Sequence, residues 1–176
     1  MAVYRFSEAA LTTEGLESRL ASLQDVTSLD LSECSNLAEL PALPAELTSL
    51  YLLGCSSLTA VPTLPAGLTS LDLSGCSSLA AVPALSAGLT RLNLFGCSSL
   101  TALPALPAEL TILHLFGCSS LTALPDLPTG LTSLDLTGCN SLERTPARIA
   151  EVAALRDGAR QGSCRLIHAA NGCLSM

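Results

Sequence analysis

Apolar and polar residues alternate over short stretches of this chain, and the stretches recur at a fixed distance. Ser70–Ser74 reads Ser-Leu-Asp-Leu-Ser, which is the period of two expected of a strand with one buried face. Gly75 then indicates a turn, and the apolar residues beyond it indicate a buried return path. The pattern predicts one strand, one turn and one return segment in each stretch.

The distance between stretches is 21 residues, and a cysteine marks it at 34, 55, 76, 97, 118 and 139. One unit, Leu68–Gly88, reads LTSLDLSGCSSLAAVPALSAG. The first unit begins at Val26 and the sixth at Leu131. A fixed period of this length is typical of a solenoid, in which stacked units bury leucines that no unit could bury alone. We therefore expect a parallel sheet along one face.

Prolines define the opposite face. Most units carry two, as at Pro62 and Pro65. Prolines at this spacing exclude a regular helix and favour an extended, polyproline-like return.

The repeat motif LxxLxLxGCxxL resembles the leucine-rich-repeat consensus; here it is carried by Leu68, Leu71, Leu73, Cys76 and Leu79. The LPxLP half, as at Leu103–Pro107, is similar to the short repeats of bacterial type III effectors, and LSGCSSL, at Leu73–Leu79, to repeats of plant intracellular immune receptors. The resemblance implies an α/β-type, right-handed superhelix with a concave parallel sheet that binds ligands and a mostly non-helical convex side. The ligase domain that often follows the effector repeats is not expected, because too few residues follow them.

The ends of the chain depart from the repeat. Leu16, Leu20 and Leu23 follow Thr12 at helical spacing and predict a threonine-capped helix, after a short strand at residues 3–6. We expect a helical cap over residues 1–25, six full repeats and a degenerate one over residues 26–157, and a cap or tail over residues 158–176. Asp157 would place a charge at an inward position of the last strand and discourage further pairing.

Composition narrows the classes of partner. The net charge is −7 and the chain contains no lysine, so we expect no nucleic-acid partner, which would require a basic stripe. No apolar stretch is long enough to span a membrane, and the first residues do not resemble a secretory signal. We expect a cytoplasmic monomer, in a eukaryotic cytosol or delivered by a bacterium to a host cytosol.

The cysteine ladder invites a metal or disulfide interpretation. In-register strands would hold these thiols about 4.8 Å apart in a line, whereas zinc needs tetrahedral ligands and a disulfide needs closer Cβ atoms. We interpret them as small buried thiols, which require a reducing compartment. We expect no metal and no cofactor.

The outward positions of the strands are the candidate binding residues. Those of the fourth and fifth units are larger and more apolar than the rest, and exposed apolar and aromatic clusters mark interaction sites. The candidates are Tyr51, Leu53, Arg91, Asn93, Phe95, Ile112, His114, Phe116 and Asp135. The alternative is that Leu53, Phe95 and Phe116 only shield the sheet.

His114 lies in the same outward column as Asp135, so we expect a His–Asp pair there. Hydrolysis would also need an activated nucleophile and an oxyanion hole in a closed pocket, and an open strand face offers none. We therefore expect a protein-binding module and no catalytic residues. The alternative is a non-binding repeat array, or a fragment of a larger receptor or effector.

The last four residues, Cys173-Leu-Ser-Met, resemble a prenylation box, and a final Met favours farnesyl. Ser175 departs from the aliphatic residue usual there. Farnesylation of Cys173 would add a weak membrane anchor. The alternatives are an inert end or a cap that buries this cysteine.

Overall fold

One parallel sheet runs through the structure, with its strands side by side in chain order. The computed structural model describes residues 2–6, 11–23, 25–142 and 165–166. Its elements, in chain order, are β1 (Ala2–Arg5), α1 (Thr13–Ala21), β2 (Val26–Asp30), β3 (Ser49–Tyr51), β4 (Ser70–Asp72), β5 (Arg91–Asn93), β6 (Ile112–His114), β7 (Ser133–Asp135) and β8 (Arg165–Leu166). The predicted parallel solenoid is thereby confirmed.

The 21-residue repeat sets the register of the sheet. Leu71 in β4 pairs with Leu50 in β3 and with Leu92 in β5, each one repeat away. These leucines are completely or almost completely buried, and they belong to one continuous apolar core that runs the length of the repeats. Burying each leucine stabilises the fold by about 1.5–3 kcal/mol, so the stacking of units is what holds a three-residue strand in place.

A glycine turns the chain after each of the strands β3–β7. Gly75 has a φ of +75°, and a Cβ atom there would lie 3.3 Å from the Cα of Gly54 in the preceding turn. Both the positive φ and the close approach disfavour a side chain. The first repeat is an exception, because Glu33 occupies the equivalent position with a φ of +66°.

Each ladder cysteine fastens its turn to the turn before it. The thiol of Cys97 donates a hydrogen bond to the carbonyl of Leu73 (Sγ···O 3.1 Å), 24 residues earlier. Cys55, Cys76, Cys118 and Cys139 make the same contact, whereas the thiol of Cys34, in the first repeat, donates to the carbonyl of Phe6. Cys34, Cys55, Cys76, Cys97 and Cys118 are fully buried and Cys139 is partly buried, which confirms the predicted inward register.

Burial changes the acidity of these thiols, because the low-dielectric interior disfavours the thiolate. It raises the pKa of Cys55 and of Cys97 from 9.0 to about 12. The pKa of Cys76 is also raised by burial. For Cys118, a hydrogen bond with Cys139 and burial together raise the pKa.

A second ladder is made by threonines at the start of each strand. The hydroxyl of Thr69 donates to the carbonyl of Thr48 (3.1 Å), and Thr90 donates to Thr69 in the same way (3.1 Å). Thr48, Thr111 and Thr132 repeat the contact. The 21-residue spacing of these threonines is the sequence signal for this second ladder.

In the return segments between β2 and β7 the described residues form no helix, as the prolines predict. The extended, polyproline-like course of these segments stays a prediction. Neighbouring returns touch through isolated parallel bridges, Glu39 with Ala60 and Ala81 with Ala102.

The N-terminal residues close one end of the core. Thr12 caps α1 by accepting a hydrogen bond from the amide of Gly15 (3.2 Å), as its position before the helix predicts. Leu16 and Leu20 are buried in the common core. β1 pairs in parallel with β2, so the predicted strand at residues 3–6 exists as Ala2–Arg5.

At the other end, β8 pairs with β7 and sets Leu166 beside Leu134. A further 21-residue step would bring Leu155 there instead, but residues 143–164 lie outside the described part, as do Asp157 and Cys173. The division into cap, repeats and tail therefore stays a prediction. In the described residues, no helix is long and apolar enough to cross a membrane.

Candidate binding surface on the strand face

The outward side chains of β2–β7 and of the residues just after them form three columns, which together we call the strand face. The first column is Ser28, Ser49, Ser70, Arg91, Ile112 and Ser133; the second is Asp30, Tyr51, Asp72, Asn93, His114 and Asp135; the third is Ser32, Leu53, Ser74, Phe95, Phe116 and Thr137. Successive members of a column lie on neighbouring strands, about 4.8 Å apart.

The third column holds the exposed large apolar side chains of the described residues. Leu53, Phe95 and Phe116 are 45%, 49% and 39% exposed. The rings of Phe95 and Phe116 stack, with centroids 4.8 Å apart and planes 7° apart. The centroid distance equals the strand spacing, so the parallel register itself aligns the two rings into one apolar surface.

The same column supports part of the shielding alternative. Ser32 and Ser74 are only 8% and 3% exposed, although they occupy the same column as Leu53 and Phe95. A small side chain is thus covered while its large neighbours remain half exposed. The two aromatic rings are exposed enough to contact a partner, and they also pack against each other on the sheet.

The second column has a structural role that the sequence analysis missed. Asp and Asn side chains there accept a hydrogen bond from the backbone amide two residues ahead, which is an Asx turn. Asp72 accepts from Ser74 (2.9 Å), and Asn93 accepts from Phe95 (3.2 Å). Asp30 and Asp135 do the same. The recurrence of Asp or Asn two residues before the turn begins is the sequence signal for this cap.

Two second-column residues, Tyr51 and His114, cannot make this cap. The amides that they leave uncapped belong to Leu53 and Phe116, and neither amide has an acceptor among the described residues. These are also two of the three exposed apolar residues. Both repeats thus lack the local hydrogen bond that caps Phe95, the most exposed of the three.

The predicted pairing of His114 with Asp135 is wrong. The two residues are partners in the register of β6 and β7, but the described hydrogen bond of the imidazole joins its Nε2 to the hydroxyl of Ser133 (3.3 Å). The carboxylate of Asp135 is instead turned toward the amide of Thr137 (3.0 Å). Oδ1 of Asp135 thus caps the backbone of its own turn, and the imidazole of His114 has Ser133 as its partner.

The structure brings most candidates together on β5 and β6. Arg91 pairs in register with Ile112, and Asn93 with His114. Phe95 and Phe116 stack beside them. Asp135 lies one strand away on β7, whereas Tyr51 and Leu53 lie on the far side of β4.

The charges of this face are mixed. Arg91 is exposed. Asp30 forms an ion pair with Arg5 (Nε···Oδ2 3.3 Å). Asp72 accepts from the side-chain amide of Asn93 (Nδ2···Oδ2 3.3 Å) and from the backbone amide of Ser74. Within the described part, no three His, Cys, Asp or Glu side chains converge as a metal site would require. The arrangement is suited to contact with a surface.

Comparison with solved structures finds a similarity to YopM from Yersinia enterocolitica WA-314, at 32% sequence identity and a TM-score of 0.48. The matched region covers 62% of this chain and 23% of that chain. A scan against models of protein families finds no match. A sequence search of curated proteins finds none either.

Proposed function

We propose that this leucine-rich-repeat solenoid is a protein-interaction module that binds a protein partner through its strand face. Stacked repeats form extended surfaces that many such proteins use for binding. The observation that carries the proposal is the stacked pair of Phe95 and Phe116, which stays half exposed on the same face as Arg91 and Ile112. Aromatic and arginine residues are the ones most often found at interaction hot spots.

The uncapped amides favour the same surface. Leu53 and Phe116 each combine an exposed apolar side chain with a backbone amide that has no acceptor among the described residues, and departures from a local rule are expected at functional sites. Tyr51 and His114 stand where the repeat elsewhere has Asp or Asn, as at Asp72. A binding role explains why the local rule is broken at Leu53 and Phe116.

Affinity capture from a native lysate tests the proposal. Truncating a hot-spot aromatic costs about 2 kcal/mol or more of binding, so the double variant Phe95→Ala/Phe116→Ala should capture at least tenfold less of any partner. Its melting temperature should fall by only a few degrees. The matched control is Ser49→Ala/Ser70→Ala, which changes the same face outside the aromatic pair. A double variant that captures as well as the wild type contradicts the proposal.

The second candidate is a non-binding array, or a fragment of a larger receptor or effector, in which these side chains only shield the sheet. The near-complete burial of Ser74 favours it. Under this alternative, the double alanine variant would unfold at markedly lower temperature and would lose no partner.

A cytosolic setting is part of the proposal. Among the described residues, the six ladder cysteines form no disulfide, and a reducing compartment would keep them so. We propose no catalytic role for the strand face and no nucleic-acid partner. Residues 25–142 contain nine Asp and Glu residues and one Arg. Attachment to a membrane is proposed only for a chain farnesylated at Cys173, which incubation with farnesyltransferase and farnesyl diphosphate would test by a mass gain.

A further inference from the structure

We infer that the partner presents a positively charged segment to the strand face, with one apolar side chain on the Phe95–Phe116 pair and Lys or Arg side chains toward Asp72 and Asp135. This inference rests on the proposed function and specifies its partner by charge.

The aromatic pair lies between two carboxylates. Phe95 and Phe116 follow β5 and β6, while Asp72 lies on β4 and Asp135 on β7. Three strand spacings separate the two Asp residues, which is about 14 Å. An apolar anchor with a cationic side chain on each side matches this order.

Both carboxylates are held in place before any partner arrives. Oδ1 of Asp72 accepts from the amide of Ser74 (2.9 Å), and Oδ1 of Asp135 accepts from the amide of Thr137 (3.0 Å). Groups fixed in advance lose little conformational entropy on binding. Both side chains are only partly buried, so a cation can still approach them.

The wider charge of the repeats favours the same partner. Residues 25–142 contain nine Asp and Glu residues and a single arginine, Arg91. A field of this sign attracts cationic segments and raises their association rate. Arg91 could by itself contact an acidic partner, but one cation among nine acids does not reverse the field.

Selection from a library of random twelve-residue peptides, displayed on phage and panned against the full chain, tests the inference. Binders that depend on Phe95 and Phe116 should be enriched in Lys and Arg over Asp and Glu. Their affinity should fall as salt rises, because screening weakens exposed charge pairs.

Two isosteric variants isolate the carboxylates. Asp72→Asn/Asp135→Asn removes both charges but keeps the turns, since Asn93 already makes the same cap in this column. We expect roughly tenfold weaker binding of the selected peptides at low salt. The matched control is Glu109→Gln/Asp126→Asn, which removes equal charge from exposed positions of the return segments and should change affinity less than twofold.

The outcomes separate the two proposals. Peptides that need Phe95 and Phe116 but lack cationic residues, or that bind the Asn variant equally well, overturn the inference and leave the proposed function standing. A selection that yields no peptide dependent on the two rings contradicts both.

Discussion

Phe95 and Phe116 lie one repeat apart, and their rings stack at 4.8 Å with planes 7° apart. The contact follows from register, because in-register parallel strands place equivalent side chains at about the strand spacing. The same residues therefore contribute to the sheet and to the surface that we propose binds a partner. Their contribution to the stability of the sheet can be measured separately from their contribution to binding.

A double-mutant cycle on these two residues should give a small coupling free energy. Aromatic pairs contribute about 0.5–1.5 kcal/mol beyond area burial, and half-exposed rings should lie at the low end. We expect a coupling of about 0.5 kcal/mol from urea unfolding of Phe95→Ala, Phe116→Ala and the double variant. A coupling above about 2 kcal/mol would show that the pair is mainly structural.

Replacing Glu33 with glycine should stabilise the protein. Glu33 has a φ of +66°, whereas the equivalent turns use glycine. A side chain in the left-handed region costs about 1 kcal/mol, part of which the added freedom of the unfolded glycine offsets. We expect a gain of about 0.5 kcal/mol in the free energy of unfolding.

The reverse change provides the control for this prediction. Gly75→Ala adds a Cβ atom 3.3 Å from the Cα of Gly54, at a φ of +75°. It should cost about 1–2 kcal/mol. If Glu33→Gly and Gly75→Ala changed the free energy of unfolding in the same direction, this account of the turn would be wrong.

Stability should fall as the pH rises above 9. Burial raises the pKa of Cys55 and Cys97 from 9.0 to about 12. Between these values the unfolded chain loses a proton that the folded chain keeps, so alkali favours unfolding, whereas below pH 9 these thiols have no effect. Each thiol should contribute about 1.4 kcal/mol per pH unit over this window.

The variant Cys97→Ser tests the assignment to thiols. Serine does not titrate there, so the free energy of unfolding should fall less steeply between pH 9 and 11, by about 1.4 kcal/mol per unit. Ser98→Ala, at the neighbouring position, should leave the slope unchanged. An unaltered slope in Cys97→Ser would mean that other groups drive alkaline unfolding.

Sequence alone predicts the solenoid because its signals are local and repeated six times. The alternation around Leu71 and Leu73 predicts the strand, and Thr12 predicts the start of α1. The inward direction of Cys76 follows from the same register. The strand and the cysteine direction recur in every unit, so a misassigned residue in one unit would not change the predicted solenoid.

The candidate site is harder to predict because it depends on side-chain geometry. The shared column predicts a pair between His114 and Asp135, and only the structure shows that the carboxylate of Asp135 accepts from the amide of Thr137 in an Asx turn. The register brings Phe95 and Phe116 to neighbouring positions, but only the structure shows that their ring planes lie 7° apart. The repeat period predicts which residues share a column, but it does not predict which hydrogen-bond partner each polar side chain takes.

His114→Asn is expected to stabilise the protein. The side chain of Asn93 accepts from the backbone amide of Phe95 (3.2 Å). The backbone amide of Phe116 has no acceptor among the described residues. An asparagine at position 114 should supply this missing cap, and His114→Ala should not. Such a cap contributes about 1 kcal/mol, so the Asn variant should be more stable than the Ala variant by that amount. Amide hydrogen exchange at Phe116 should slow only in the Asn variant.

The same substitution separates stability from binding. If His114 is retained for contact with a partner, His114→Asn should bind more weakly while it unfolds less readily, as is common where function breaks a local structural rule. Asn93→His, which removes the cap at Phe95, is the matched opposite and should lose about 1 kcal/mol of stability. Asn and Ala variants of equal stability, with equal exchange at Phe116, would show that the uncapped amide costs the fold nothing. The departure of His114 from the repeat would then no longer favour a binding role.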